Sequence, residues 1–358
     1  MTVVHKALLI GVFGLGLPGP ARADLSEARE LLGGLSGVLA AVDFAEGQRV
    51  YTVDLRSGRR RPVPTDLDCE YPEISGDGSL LVYGRGKELV VRSLAGMRPL
   101  VSFSGYHGRW WTAADGERWI YYSSVYAHTI WPILSQDVTT WRRRLSDGHT
   151  ERILDWKTTA GPSPDGTHLG SDYISVLLFD LAGGETHVLN RNKHGCYASM
   201  APDNSYRVLH LDVGHDRLLV HDPQDRLVWW AAMPEGTTHV NQPHWTNHPD
   251  YAVFTSREKD SDSFSVFLVR LSAVDPRTGQ ARPGQRAMTR VLDARTGSHA
   301  WAYPFLWLTT RTPAVATGGD EGGCAMGRGP RRGALTLVMG LALFMSLALL
   351  SWVVIGRR

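Results

Sequence analysis

The stretch Gly161-Pro162-Ser163-Pro164-Asp165-Gly166 decides how the rest of the chain is read. A short apolar lead, a Pro and an Asp-Gly pair predict a strand, a tight hairpin and a second strand, because Gly accepts positive φ and Asp tolerates it. The same arrangement recurs. Tyr71-Pro72-Glu73-Ile74-Ser75-Gly76-Asp77-Gly78 and Trp110-Trp111-Thr112-Ala113-Ala114-Asp115-Gly116 precede it. Tyr197-Ala198-Ser199-Met200-Ala201-Pro202-Asp203-Asn204 and the degenerate Gln242-Pro243-His244-Trp245-Thr246-Asn247-His248-Pro249 follow. Counted from the Asp position the copies fall at 77, 115, 165, 203 and 248, spaced by 38, 50, 38 and 45 residues. That is the length of one four-stranded propeller blade.

Each copy continues as a blade should. A second apolar run follows the turn, as in Leu80-Leu81-Val82-Tyr83 and Ala252-Val253-Phe254-Thr255. A third follows that, as in Val176-Leu177-Leu178-Phe179 and Val266-Phe267-Leu268-Val269. The fourth is short and polar, as in His187-Val188-Leu189, which suits an exposed sheet edge. The unit at 36–64 has three strands and lacks an opening one. The lone run Ala300-Trp301-Ala302-Tyr303-Pro304-Phe305-Leu306-Trp307-Leu308 stands after the sixth unit. The economical reading is that this run completes the first blade and closes the ring, which removes the free edges of an open array. The expectation is an all-β, six-bladed β-propeller over 36–310. Its blades are 36–64 with 299–309, then 65–103, 104–155, 156–191, 192–236 and 237–293. Long insertions lie at 125–141, with His128, Trp131 and Trp141, and at 275–285.

Pro-x-x-Ser-x-Asp-Gly followed by a β run resembles the WD40-like PD40 repeat of TolB-type propellers. Ser163-Pro164-Asp165-Gly166 matches the core of that repeat outright. Gly76 replaces its Pro in the second blade, and 201–204 and 246–249 have drifted. The resemblance implies the fold. It does not imply a function, since propellers serve many.

The two ends carry the other strong signals. His5 and Lys6 precede an uncharged run, Ala7 to Leu17, then Pro18-Gly19-Pro20 and the small-x-small site Ala21-Arg22-Ala23. This reads as a signal peptide over 1–23, with Asp24 as the mature start and 24–35 as a lead-in. Residues 333–356 hold no charge and are rich in Leu, Ala, Val, Met and Phe, with Arg357 and Arg358 behind them. That reads as a transmembrane helix with a positive inner flank. The Gly/Arg-rich linker at 311–332 includes Gly322-Gly323-Cys324. Linker, lone Cys, helix and terminal Arg resemble the MYXO-CTERM sorting tails of delta-proteobacteria, although the Arg cluster at 328–332 departs from that pattern. The resemblance implies processing or lipidation at Cys324 and display on the cell envelope of a Gram-negative bacterium. The alternative is retention of the helix as a single-pass anchor.

Charge excludes one class. Seven of the 38 cations sit in the two ends, where there is no acid, so 24–323 carries 31 cations against 36 anions, formally −5. A nucleic-acid binder needs a basic face. Enzyme signatures are absent too. There is no Gly-x-Ser-x-Gly elbow, no Gly-x-x-x-x-Gly-Lys-Ser/Thr loop, no His-Glu-x-x-His and no Cys-x-x-Cys. Cys69 and Cys196 read as packed free thiols, because the blades that hold them are not adjacent.

Several blades open with a His: His107, His194, His239 and His299. The first strand of a blade starts at one mouth of the channel, so these imidazoles are candidates to converge there, with Asn241 and Gln242 nearby and Trp301 as a further candidate ligand-binding residue. His is the commonest transition-metal ligand. The oligogalacturonate lyases, propellers with PD40-like repeats, hold a His/Gln-bound metal on such a face, and the resemblance to them is loose. The expected function is therefore a binding module for an envelope protein, peptide or glycan. No catalytic residue and no cofactor are assigned. The rival readings are a metal-dependent polysaccharide lyase or hydrolase using the His mouth, and a purely structural envelope protein.

Overall fold

The computed structural model describes residues 25–309 except 65–66, 126–137, 173–174, 191–194, 262 and 295–299. The expected signal peptide, the linker with Cys324, the C-terminal helix, His128, Trp131, His194 and His299 lie outside the described residues. Among the described residues no helix is long and apolar enough to cross a membrane.

Six four-stranded antiparallel sheets form the ring. The first blade takes its innermost strand, Trp301–Leu308, from the far end of the chain and pairs it with Gly37–Asp43, then Arg49–Asp54 and Arg60–Pro62. Register partners such as Leu306↔Leu39 and Trp301↔Asp43 fix the closure, and Thr309 N–H donates to Ser36 O at 2.7 Å. The remaining blades run in order from inner to outer strand. The second begins at Cys69–Ile74, the third at Tyr106–Thr112, the fourth at Gly161–Pro162, the fifth at Cys196–Met200 and the sixth at Thr237–Trp245.

Both faces of each sheet are covered by a neighbouring blade. This explains why the second and third strands are continuous apolar runs rather than alternating ones. Ala40 and Val42 point at the second blade, whereas Leu39 and Ala41 point at the sixth. Six buried clusters result, one at each blade-to-blade interface. A fully buried Leu such as Leu81 or Leu268 contributes about 1.5–3 kcal/mol relative to exposure. The lead-in, read from sequence without a structure, holds a helix, Ser26–Leu31. It adds Leu25, Ala28, Leu31 and Leu32 to the core between the sixth and first blades.

The Asp-Gly turns do more than reverse the chain. Trp307 of the first blade donates its indole N–H to Gly76 O in the turn of the second, at 3.0 Å. Trp111 of the third blade does the same to Pro164 O in the fourth, at 3.0 Å. Gly78 and Gly166 lie under those two rings: a Cβ on either would sit 2.4 Å from the indole. At φ of 71° each position also needs glycine for its backbone.

Candidate functional site

Five of the six inner strands share one irregularity. Each carries a bulge at which a non-glycine residue takes positive φ: Tyr71 (48°), His107 (54°), Tyr197 (54°), Gln242 (48°) and Tyr303 (49°). Such a conformation costs on the order of 1–3 kcal/mol per residue and persists only where the surroundings impose it. A bulge also re-aims side chains. All five bulge residues line one central pocket of about 270 Å³, to which every blade contributes. Pro72, Pro243 and Pro304 follow three of them and add apolar wall. Rings overlap around the rim: Tyr71 lies 4.3 Å from His107 and 4.1 Å from Tyr303, centroid to centroid. Gln242 Oε1 accepts from Tyr303 N–H at 2.7 Å, joining the sixth blade to the first.

The fourth blade has no such bulge. Its inner strand is two residues long, and Gly161 at φ 84° leaves the space that the Arg109 stem crosses, 3.2 Å from where a Cβ would stand. Arg109 thereby reaches Thr159 O through Nε at 2.8 Å. Its Nη1 lies 2.9 Å from Glu73 Oε2 and 2.6 Å from His244 Nε2. Glu73 Oε1 accepts from Trp110 N–H at 2.9 Å. His244 Nδ1 lies 2.7 Å from Trp245 O, so Nδ1 carries the proton, Nε2 accepts from Arg109, and the ring is neutral. Burial, then the Arg109 charge, depresses the His244 imidazole below its usual value and keeps it so. Burial alone would raise Glu73. The Arg109 guanidinium and the Trp110 N–H outweigh it and hold the carboxyl below its ordinary range.

A second charged set faces the same pocket from the fourth and fifth blades. Asp172 accepts from the Thr159 hydroxyl through Oδ1 and from Ala198 N–H through Oδ2, at 2.5 and 2.9 Å. Lys157 is buried beside it; desolvation lowers its amine pKa, and the Asp172 carboxylate opposes that. Burial, with Asp172 beside it, raises the Cys196 thiol. Tyr197 is pushed up to about 12, first by burial, and burial likewise raises Tyr303, so both phenols stay neutral. Neither Cys69 nor Cys196 is in a disulfide among the described residues.

The residues expected at the mouth are dispersed. His107 lines the pocket. Asn241 borders it: its Oδ1 accepts from Gln242 N–H at 3.2 Å, and its side chain holds the Tyr197 phenol. His239 is not in the pocket lining; it stacks on His215 at 4.5 Å. Trp301 is buried between the first and sixth blades, edge-on to Tyr51 at 6.1 Å and capped by the Arg60 guanidinium at 4.7 Å. Counting back from the Asp turn misplaced the register. The bulge residue stands six residues before the turn in the second, fifth and sixth blades but eight in the third, whose inner strand continues two residues farther beyond the bulge. Gln242, not His239, is therefore the counterpart of His107. Among the described residues no three His, Cys, Asp or Glu gather where they could hold a metal. Glu73, Arg109, Lys157, Asp172 and His244 were missed. The Tyr-Pro or Gln-Pro pair in the first, second and sixth blades was the available signal for three of the bulges.

No protein-family model matches the chain, and no curated protein matches it. Solved structures do. TolB from Acinetobacter baumannii superposes with a TM-score of 0.56 at 14% identity, over 75% of this chain and 66% of that one. This chain thus spans just under two thirds of the length of that TolB. A putative TolB from Agrobacterium tumefaciens gives 0.47 at 15%, over 72% and 89%. An oligogalacturonate lyase in complex with manganese gives 0.44 at 15%, over 66% and 70%. The last two likenesses are too weak to bear on activity. The chain is an all-β, six-bladed propeller with the fold seen in TolB.

Proposed function

We propose that the chain is a non-catalytic binding module displayed in the cell envelope, which takes a segment of a partner protein, peptide or glycan into its central pocket. One observation carries the reading: five non-glycine residues hold a costly backbone conformation at one register, and all five side chains face the pocket. Packing alone does not require that strain, because the second and third strands build the blade interfaces without it. The pocket volume suits one amino-acid side chain or one sugar ring, so only the tip of a larger ligand enters. The propeller fold supports the reading, since such rings commonly present a mouth to a partner. Export and anchoring are supported by the sequence at 1–23 and 333–356 and by the lone Cys324.

Peptide and glycan arrays probed with the purified full-length protein test this. Ligands captured by the wild type should be lost by Tyr71→Ala with Tyr303→Ala, which empties the aromatic rim. Equal capture by the double variant, still folded, would move the binding surface away from the pocket. For export, intact-mass analysis of membrane fractions should find Asp24 as the first residue.

A further inference from the structure

The pocket is asymmetric in hydrogen bonding. Both oxygens of Glu73 already hold protein donors, Trp110 N–H on one and Arg109 Nη1 on the other. So do both oxygens of Asp172, held by the Thr159 hydroxyl and Ala198 N–H. Arg109 differs. Its Nε and Nη1 are engaged, but no acceptor among the described residues meets Nη2, although the residue is 7% exposed and lines the pocket. Nη2 is not sealed off by protein, so whatever fills the pocket reaches it. Lys157 adds a second buried cation to the lining, whose one carboxylate among the described residues is Asp172. The neutral phenols of Tyr197 and Tyr303 stand on the same wall. Its two cations are balanced by the carboxylates of Glu73 and Asp172, whose oxygens are committed, so what the pocket has to spare is the Nη2 edge of Arg109.

We propose that the pocket recognises the carboxylate of a peptide, with Arg109 Nη2 as its principal donor and Lys157 as the second cation. This rests on the reading of the pocket as a ligand site and names the chemistry it selects. A guanidinium fixed by Glu73 and Thr159 presents its remaining edge with little entropy to lose, and a charge-assisted bond of this kind is strong. About 270 Å³ admits a carboxylate with one side chain. The Tyr71, His107 and Tyr303 rings and the three prolines give that side chain an apolar wall. A chain-terminal residue offers both parts together. An internal Asp or Glu offers the same group on a shorter reach.

Calorimetry on the full-length protein separates the possibilities with four probes: N-acetyl-phenylalanine as free acid, its primary amide, an N-acetylated, C-amidated Gly-Asp-Gly, and an oligouronate. The free acid should bind at least tenfold more tightly than the amide, and stronger binding of the Asp peptide would place the source in an internal side chain. Arg109→Lys keeps a cation opposite Glu73 but loses the fork, and should weaken the acid at least tenfold and weaken the amide much less. Lys157→Met should weaken the acid severalfold and guards against misfolding of the Arg109 variant. Equal binding of acid and amide, lost on Tyr71→Ala with Tyr303→Ala, would overturn the carboxylate and leave a binding pocket. Binding of an oligouronate with none of the peptides would overturn the peptide. Failure of every probe would overturn both.

Discussion

His210 and His221 form a buried pair whose behaviour in acid can be worked out from the structure. The rings stack at 4.9 Å, and His210 Nε2 lies 2.8 Å from His221 Nδ1. His210 Nδ1 lies 2.9 Å from Leu211 O. A carbonyl only accepts, so Nδ1 of His210 carries its proton, Nε2 is a bare acceptor, and His221 donates to it. Protonating His210 at Nε2 would set two N–H groups against each other. Burial first, and the His221 charge after it, lower the His210 pKa to about 4; Leu211 O, Asp172 and Asp212 oppose this without prevailing. A His whose folded pKa is depressed adds stability that is full above the unfolded value, about 6.5, and is lost as pH falls through the folded one. From pH 7 to pH 5 that loss is about 2 kcal/mol, or about 4 °C in melting temperature for a domain of this size. The perturbation is His210→Leu with His221→Leu, which removes both polar rings at once and so leaves neither partner stranded. His215, His244 and His248 are also depressed, each first by burial, and they weaken wild type and variant alike. Calorimetric scans at pH 7 and pH 5 should therefore show the variant losing about 2 kcal/mol less than the wild type. An equal loss would refute the assigned tautomers and the protonation argument.

Other consequences can be measured separately. Gly78→Ala should cost more than Gly116→Ala by about 1–3 kcal/mol in urea unfolding, since both have positive φ but only Gly78 lies beneath an indole; equal costs would dismiss the Trp307 contact. Leu306→Ala in the closing strand, fully buried, should cost about 2–5 kcal/mol and destabilise all six blades together in one transition; an early separate transition would show that the ring does not depend on its closure. Glu73→Gln strips Arg109 of its buried counter-charge and should cost about 3 kcal/mol at pH 7. Because Glu73 is depressed, that gap should persist down to its unfolded pKa near 4.5 and narrow only as pH falls through the folded value below it. A gap already closed at pH 6 would contradict the pairing.

What the sequence determined by itself was local and repetitive. An Asp-Gly hairpin and an apolar strand are decided within a few residues, and recurrence at near-constant spacing converts one hairpin into a ring. The orphan strand at 300–308 could be assigned because a unit with three strands and a strand without a unit leave one economical pairing, which the register Leu306↔Leu39 realises. The pocket was decided by tertiary structure alone. Arg109, the Lys157–Asp172 pair and His244 come from the third, fourth and sixth blades and meet only because closure brings six inner strands round one axis. A bulge then adds a residue to the strand and changes which side chains face the channel beyond it, an effect of one residue that no count from a turn records. His239 and Trp301 therefore look outward or into the core, while Tyr303, two residues from Trp301, faces the pocket. Charge followed the same rule: Glu73, Arg109 and His244 became one buried network through packing, since the field each feels is set by neighbours from other blades.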